Sequence, residues 1–298
     1  MQETAGEDPT LVSEYGKALV EGMAGNGSSM LAAPAPKHFS CYCGPENWGG
    51  IMRWTFDAVV KDKWLTSYYH PGWRATIGTG KVRGPMCSYS KKQQSSCLES
   101  LLGKFSTELS LFADSVNGVA SCSNDFFNNH LMRKEWGLSG FVVSDCGEIR
   151  GLDVEGNHGT TAHPYTKQLN GTMSCQAALR GGCDVDCGSV FDAHMLDALT
   201  VGNVATADVE LAARHVLKPT LELGLLDGPD APYRRLGPDD VDTAEHRQLA
   251  LEAGQQGITL LKNDKRAGAA KPLLPLSKTS SVAVIGPALN FTQEMLSN

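Results

Sequence analysis

The chain of 298 residues is long enough for one large domain or two small ones, and 41% hydrophobic residues supply a sizeable core and set disorder aside. A net charge of −7, with no Lys/Arg cluster interleaved with aromatics, recommends no nucleic-acid partner and suits a neutral substrate. No run approaches the roughly 18 apolar residues of a membrane span, so no membrane partner is expected.

The stretch after Met1, QETAGEDP, is acidic and polar, unlike a signal peptide. Nine cysteines are generous for a cytosolic chain, and the odd number leaves at least one unpaired. Glycosylation sequons begin at Asn26, Asn170 and Asn290. Cysteines and sequons together lean towards a secretory origin whose targeting segment is not in this sequence.

In chain order, residues 9–25 read as a helix, with Leu11, Tyr15, Leu19 and Met23 at spacings of four and Gly25-Asn26-Gly27 to end it. The apolar run 29–36 is a strand candidate delivering Lys37 and His38. Residues 54–69 are a further helix candidate, though Trp54, Phe56, Val59, Val60 and Trp64 fit the period imperfectly. Residues 84–88 are a strand candidate delivering Tyr89. The serine-rich stretch 90–115 reads as an insertion or surface excursion. A helix is expected over 125–135, and strands over 140–144 and 182–186. Residues 206–223 make a strong amphipathic helix, which Thr206 can cap, Gly224 can end and Pro219 should kink or break. The proline- and aspartate-rich stretch 226–241 is a linker by composition. Asp242 and Glu245 form a capping box for a helix to about Gly254, and 258–261 and 282–285 are strand candidates. Strand, loop and helix thus repeat with polar residues at the strand ends. That is the pattern of an α/β fold with a parallel sheet, whose site lies at the carboxyl ends of the strands.

One stretch, GLSGFVVSDCGE at 137–148, turns from a buried strand to a carboxylate at once. Asp145 is therefore the leading candidate for chemistry, against the alternative of an aspartate that caps a helix or closes the turn near Gly147. Lys37 and His38 are weighed against an exposed loop pair, and Tyr89 against a half-buried aromatic. Of Asp184 and Asp186, one is expected to face the pocket. Cys41-x-Cys43 and Cys183-x3-Cys187 lack the two close Cys/His pairs of a zinc site, so no metal is expected. No Gly-x-Ser-x-Gly elbow and no glycine-rich phosphate loop occurs, and no cofactor is expected.

Taken as a series, QETAGEDP (2–9), KHF (37–39), ENW (46–48), MCSY (86–89), VNGVASC (116–122), EWGLSGFVVSDC (135–146), DVDCG (184–188), ELGLLD (222–227) and GITLLKND (257–264) resemble glycoside hydrolase family 3, most closely its β-xylosidase branch. The resemblance implies a (β/α)8-like barrel followed by an α/β sandwich domain. In this chain that becomes a partial barrel over 1–225 lacking its N-terminal strands, the linker 226–241 and the start of the second domain at 242–298. It implies exo-acting, retaining hydrolysis with Asp145 as nucleophile, Lys37 and His38 binding sugar hydroxyls, and Tyr89 beside the nucleophile. The implied substrate is a β-linked xylo-oligosaccharide or aryl glycoside. β-Glucosidase or α-L-arabinofuranosidase activity, or a non-catalytic sugar-binding remnant, are the alternatives.

Within that resemblance, Cys146 stands where the family's β-glucosidases usually carry tryptophan, which points to the xylosidase side. If 182–186 is the strand after the one bearing the nucleophile, Cys187 lies level with Cys146 on a neighbouring strand. Strand spacing then suits a Cys146–Cys187 bridge; Cys87–Cys122 is a second candidate, with the insertion between its members. The family's upstream sugar-binding aspartate and arginine, and its downstream acid/base glutamate, have no counterpart here. The expectation is a truncated, inactive and aggregation-prone chain.

Overall fold

A computed structural model describes residues 5–42, 58–89, 116, 117, 119–152, 171–229, 231–286 and 289. The expected insertion at 90–115, residues 54–57 of the second helix candidate, Cys43 and the sequon residues Asn170 and Asn290 lie outside these. The chain divides into two units, Met1–Arg234 and Arg235–Asn298.

The first unit alternates helix and parallel strand. Helix α1 (Pro9–Ala24) starts where Asp8 Oδ1 accepts from the amides of Thr10 and Leu11, at 2.8 and 3.4 Å, with Pro9 in its first turn. Its stripe of Leu11, Tyr15, Leu19 and Met23 is exposed, and it is Val20 and Ala24 that are buried. Strand β1 (Lys37–Phe39) begins after the apolar run expected to form it. Pro34 and Pro36 have no N–H to donate, so they enter the ladder only as acceptors: their carbonyls take the amides of Arg83 and Met86, at 3.0 and 2.9 Å. Helix α2 (62–77) comprises Asp62–Trp64, a wide-wound stretch Leu65–Tyr69 and His70–Ile77. It lies further along the chain than the 54–69 periodicity predicts.

Strand β2 (Met86–Cys87) leads to the wide-wound helix α3 (Phe126–Glu135), and β3 (Val143–Ser144) follows. Helices α4 (Gly171–Arg180) and α5 (Val190–Thr200) flank Val185, which bridges to Val143 in parallel and stands in the place of a fourth strand. The sheet order is β1-β2-β3, all parallel, with Met86 opposite Val143 and Cys87 opposite Ser144. Backbone bonds extend the ladder on either side, from Phe141 N to Arg83 O (2.8 Å) and from Asp145 N to Cys87 O (3.0 Å). At Gly140 a Cβ would stand 2.0 Å from the Arg83 carbonyl oxygen, so only glycine lets the two segments approach this closely. Consecutive parallel strands with helices between them are the pattern of a (β/α)8-like barrel.

Helix α6 (Thr206–Glu222) runs through Pro219 without breaking. The proline sits in the last turn, where its missing N–H removes one bond near an end that is already loosely tied. The cap is Ala205, whose amide donates to Asp208 at 3.3 Å, rather than Thr206; Gly224, at φ +67°, follows the helix end. Helices α4 and α5 have no counterpart in the sequence expectations.

Phe39 is the hub of the core. Its ring meets Trp73, Phe127, His70 and Trp136 at centroid distances of 5.0, 5.4, 5.7 and 5.8 Å, packing β1 against α2 and α3. Burial among these rings holds His70 neutral, its pKa lowered to about 4. A second tie is polar. The Asp184 side chain, 6% exposed, takes Arg133 of α3, the Val142 amide at 2.7 Å and His215 of α6, whose Nδ1 lies 2.7 Å from Oδ1.

In the second unit a short turn at Pro238–Asp240 precedes helix α7 (Ala244–Gly257). The side chain of Thr243, not Asp242, caps α7 by accepting the His246 amide at 3.3 Å. Residues 258–261 and 282–285 form no strand. A strand needs a ladder partner, and these runs have none among the described residues: Leu261 is 92% and Ile285 90% exposed.

Two outcomes test this packing. His70 titrates near 6.5 when unfolded and near 4 when folded. Between those values the unfolded chain binds a proton that the folded chain refuses, so stability falls as pH drops from 6.5 towards 4. Urea unfolding of His70→Phe at pH 7 and pH 4 should show that acid loss reduced by about 3 kcal/mol; an unchanged loss would remove His70 as its cause. Asp184→Ala strands Arg133 in the interior and should cost roughly 3–5 kcal/mol. A loss within the range of a surface substitution would contradict the account of this tie.

Candidate active site

Four strand ends meet at one level. Lys37 and His38 lie on β1, Tyr89 follows β2 by one residue beyond Ser88, Asp145 follows β3 directly, and Cys187 lies two residues past Val185. Asp145 owes its position to its own amide, which donates to the Cys87 carbonyl and so continues the β2–β3 ladder. The chain then reverses through Gly147, at φ +82°, a left-handed conformation that glycine adopts without strain. The Gly147 amide donates to the Cys187 carbonyl at 2.6 Å.

The Asp145 carboxylate is almost wholly buried, with 6% of the residue exposed. His38 Nε2 lies 3.3 Å from Oδ2, and the Cys146 amide donates to Oδ1 at 2.8 Å. Burial raises its pKa. His38, the Cys146 amide, a hydrogen bond from Tyr89 and the charge of Lys37 act against that rise. The arrangement therefore brings all four expected residues together: Asp145 and His38 in direct contact, Tyr89 hydrogen-bonded to the carboxylate, and Lys37 acting through its charge. A desolvated carboxylate facing donors has few waters to shed.

Sequence reasoning missed Tyr42. Its ring stands edge-on to His38 at 4.9 Å and tilted to Tyr89 at 6.1 Å, linking the two side chains that reach Asp145. The available signal was its place four residues after His38, just past a strand end.

Neither Asp184 nor Asp186 faces the pocket, which corrects the expectation for that pair. Residues 184 and 186 share one side of the extended chain, and that side meets the helices. Asp184 is taken by Arg133 and His215. Asp186 Oδ2 accepts the amides of Val190 and Phe191, at 2.7 and 3.1 Å, and so holds the start of α5.

Cys146 and Cys187 form a disulfide with Cα atoms 4.4 Å apart, joining the ends of β3 and of the Val185 segment beside Asp145. Cys87 and Cys122 form another, with Cα atoms 5.2 Å apart. Cys175 and Cys183 are buried free thiols. Burial pushes the Cys183 thiol up, and neighbouring Asp184 adds to that effect. Cys183 and Cys187 thus face different partners and do not act as a ligand pair.

Residues 1–218 match the model of the Glycosyl hydrolase family 3 N terminal domain. The whole chain is 34% identical to Beta-xylosidase/alpha-L-arabinofuranosidase 1 of Medicago sativa subsp. varia and 33% identical to Beta-D-xylosidase 1 of Arabidopsis thaliana, covering 34% of each. It therefore spans about a third of the length of these curated relatives. Among solved structures, a GH3 exo-beta-xylosidase (XlnD) in complex with a xylobiose aziridine activity based probe superposes with a TM-score of 0.74 at 30% identity, over 93% of this chain and 31% of that one. A beta-glucosidase from Listeria innocua does so with a TM-score of 0.69 at 26% identity, over 93% and 33%. By its matching domain and its full-length similarity to these relatives, the chain belongs to glycoside hydrolase family 3.

Proposed function

We propose that this chain carries the nucleophile and inner sugar-binding groups of an exo-acting, retaining β-D-xylosidase. The observation that carries the reading is the buried Asp145 carboxylate at the end of β3, with His38 Nε2 at 3.3 Å. In the first step Asp145 attacks the anomeric carbon of the terminal sugar. The glycosidic bond breaks, the leaving oxygen takes a proton, and a glycosyl ester of Asp145 forms. Water then adds to the same carbon, releasing the sugar and restoring the carboxylate. Lys37 and His38 donate to sugar hydroxyls, and those bonds tighten as charge develops on the ring. No residue of this chain is assigned the acid/base role.

Cys146, tied to Cys187, leaves the flank of Asp145 without the bulk of an indole, which favours a pentose. A second reading, α-L-arabinofuranosidase, draws on the double name of the Medicago relative. The two disulfides and the exposed Asn26 of the Asn-Gly-Ser sequon support an oxidising, secretory compartment.

A 2-deoxy-2-fluoro xyloside with an activated leaving group tests the nucleophile alone, because such a leaving group departs without acid assistance. Mass spectrometry should find the fluoroxylosyl ester on the peptide bearing Asp145, and Asp145→Asn should abolish it. An ester on another residue would reassign the role. The fluoro-arabinofuranosyl analogue decides between the two sugars. The labelling rate should also rise with pH as Asp145 ionises. His38 favours the ionised form, so His38→Gln should move that rise to higher pH; a midpoint that stays put would deny His38 its electrostatic part.

A further inference from the structure

Beneath the active site, three sulfurs from three segments converge in one buried cluster. Cys87 of β2, Cys122 of the turn before α3 and Cys183 before Val185 have Sγ atoms all within 4.8 Å of one another, and all three residues are fully buried. Cys87 Sγ lies 3.9 Å from Cys183 Sγ, while the Cys87–Cys122 bond closes the third side. The cluster plays no part in the chemistry at Asp145.

We propose that the cluster, once its disulfide is reduced, is a three-thiolate site for a soft d10 metal cation such as Zn²⁺ or Cd²⁺. A phosphine or dithiol reductant supplies two electrons and two protons to the Cys87–Cys122 bond, leaving two thiols beside that of Cys183. The cation displaces the thiol protons to solvent as its bonds to sulfur form. Spacing favours this. Zinc–sulfur bonds of about 2.3 Å hold their sulfurs about 3.8–4.0 Å apart, and Cys87 and Cys183 already stand at 3.9 Å. The Cα atoms of Cys87 and Cys122, 5.2 Å apart, leave room for their sulfurs to separate by side-chain rotation.

A new disulfide between Cys87 and Cys183 is the competing chemistry, and spacing disfavours it. β3 lies between their segments, so strand spacing alone sets their backbones roughly 9–10 Å apart, against a usual disulfide limit of about 7 Å. A metal ion spans sulfurs that a covalent bond cannot draw together. Disulfide and metal compete for the same two sulfurs, so the site opens only under reduction.

The test is a titration of the full chain with Cd²⁺, after phosphine reduction and under anaerobic conditions, followed by the ultraviolet charge-transfer band of cadmium thiolate. Binding of one equivalent is expected in the reduced chain and none at this cluster in the oxidised one. Cys183→Ser and Cys122→Ser should each weaken that equivalent about 10–100-fold or more. Cys175→Ser, at a buried thiol elsewhere, should leave it intact. Circular dichroism checks that each variant stays folded, and either of the two cluster variants suffices. Retention of the band in a folded cluster variant, absence of binding in the reduced chain, or a Cys87–Cys183 disulfide recovered by peptide mapping would each overturn the proposal.

Discussion

The register between β2 and β3 is the constraint on which the site depends. Met86 faces Val143 and Cys87 faces Ser144, so the next amide along, that of Asp145, falls on the Cys87 carbonyl. That single bond sets the height of the carboxylate relative to Tyr89 on one neighbouring strand end and Cys187 on the other. A slip of one residue would turn Asp145 towards the helices and leave His38 facing a main chain. Gly140, with no room for a Cβ against Arg83, helps to exclude that slip.

Three aspartates near these strand ends show how surroundings decide a role. Asp184 is engaged by Arg133, His215 and the Val142 amide, and so binds helices to sheet. Asp186 spends one oxygen on two amides at the start of α5. The Asp145 side chain is nearly as little exposed as that of Asp184, yet its neighbours are a histidine at 3.3 Å, one amide, a tyrosine hydroxyl and a more distant lysine. Burial and neighbouring charge pull its ionisation in opposite directions, which is one reason Asp145 is the carboxylate proposed as nucleophile.

Local pattern was most informative where local interactions dominate. The helices α1 and α6 were legible because capping, periodicity and a terminal glycine act within one turn. Strands were displaced or absent where pairing decided: prolines at 34 and 36 pushed β1 forward, and the apolar runs at 258–261 and 282–285 found no ladder among the described residues. Pro219 was misread because its cost depends on how many backbone bonds lie beyond it, and few do. At the site, the ordered motifs carried Asp145, Lys37, His38 and Tyr89; without them, a helix cap would have explained Asp145 about as well. Tyr42 lay in no quoted motif and emerged only from the ring geometry.

By itself, the sequence determined the family, the alternation of strand and helix, and the residue types waiting at the strand ends, because these are properties of order and short-range spacing. Tertiary structure alone decided which aspartate faces His38, which face of α1 stays exposed, and which sulfurs share a buried layer. Those outcomes depend on side chains far apart in the chain being brought within a few ångströms by strand register, and a linear sequence contains no such distance.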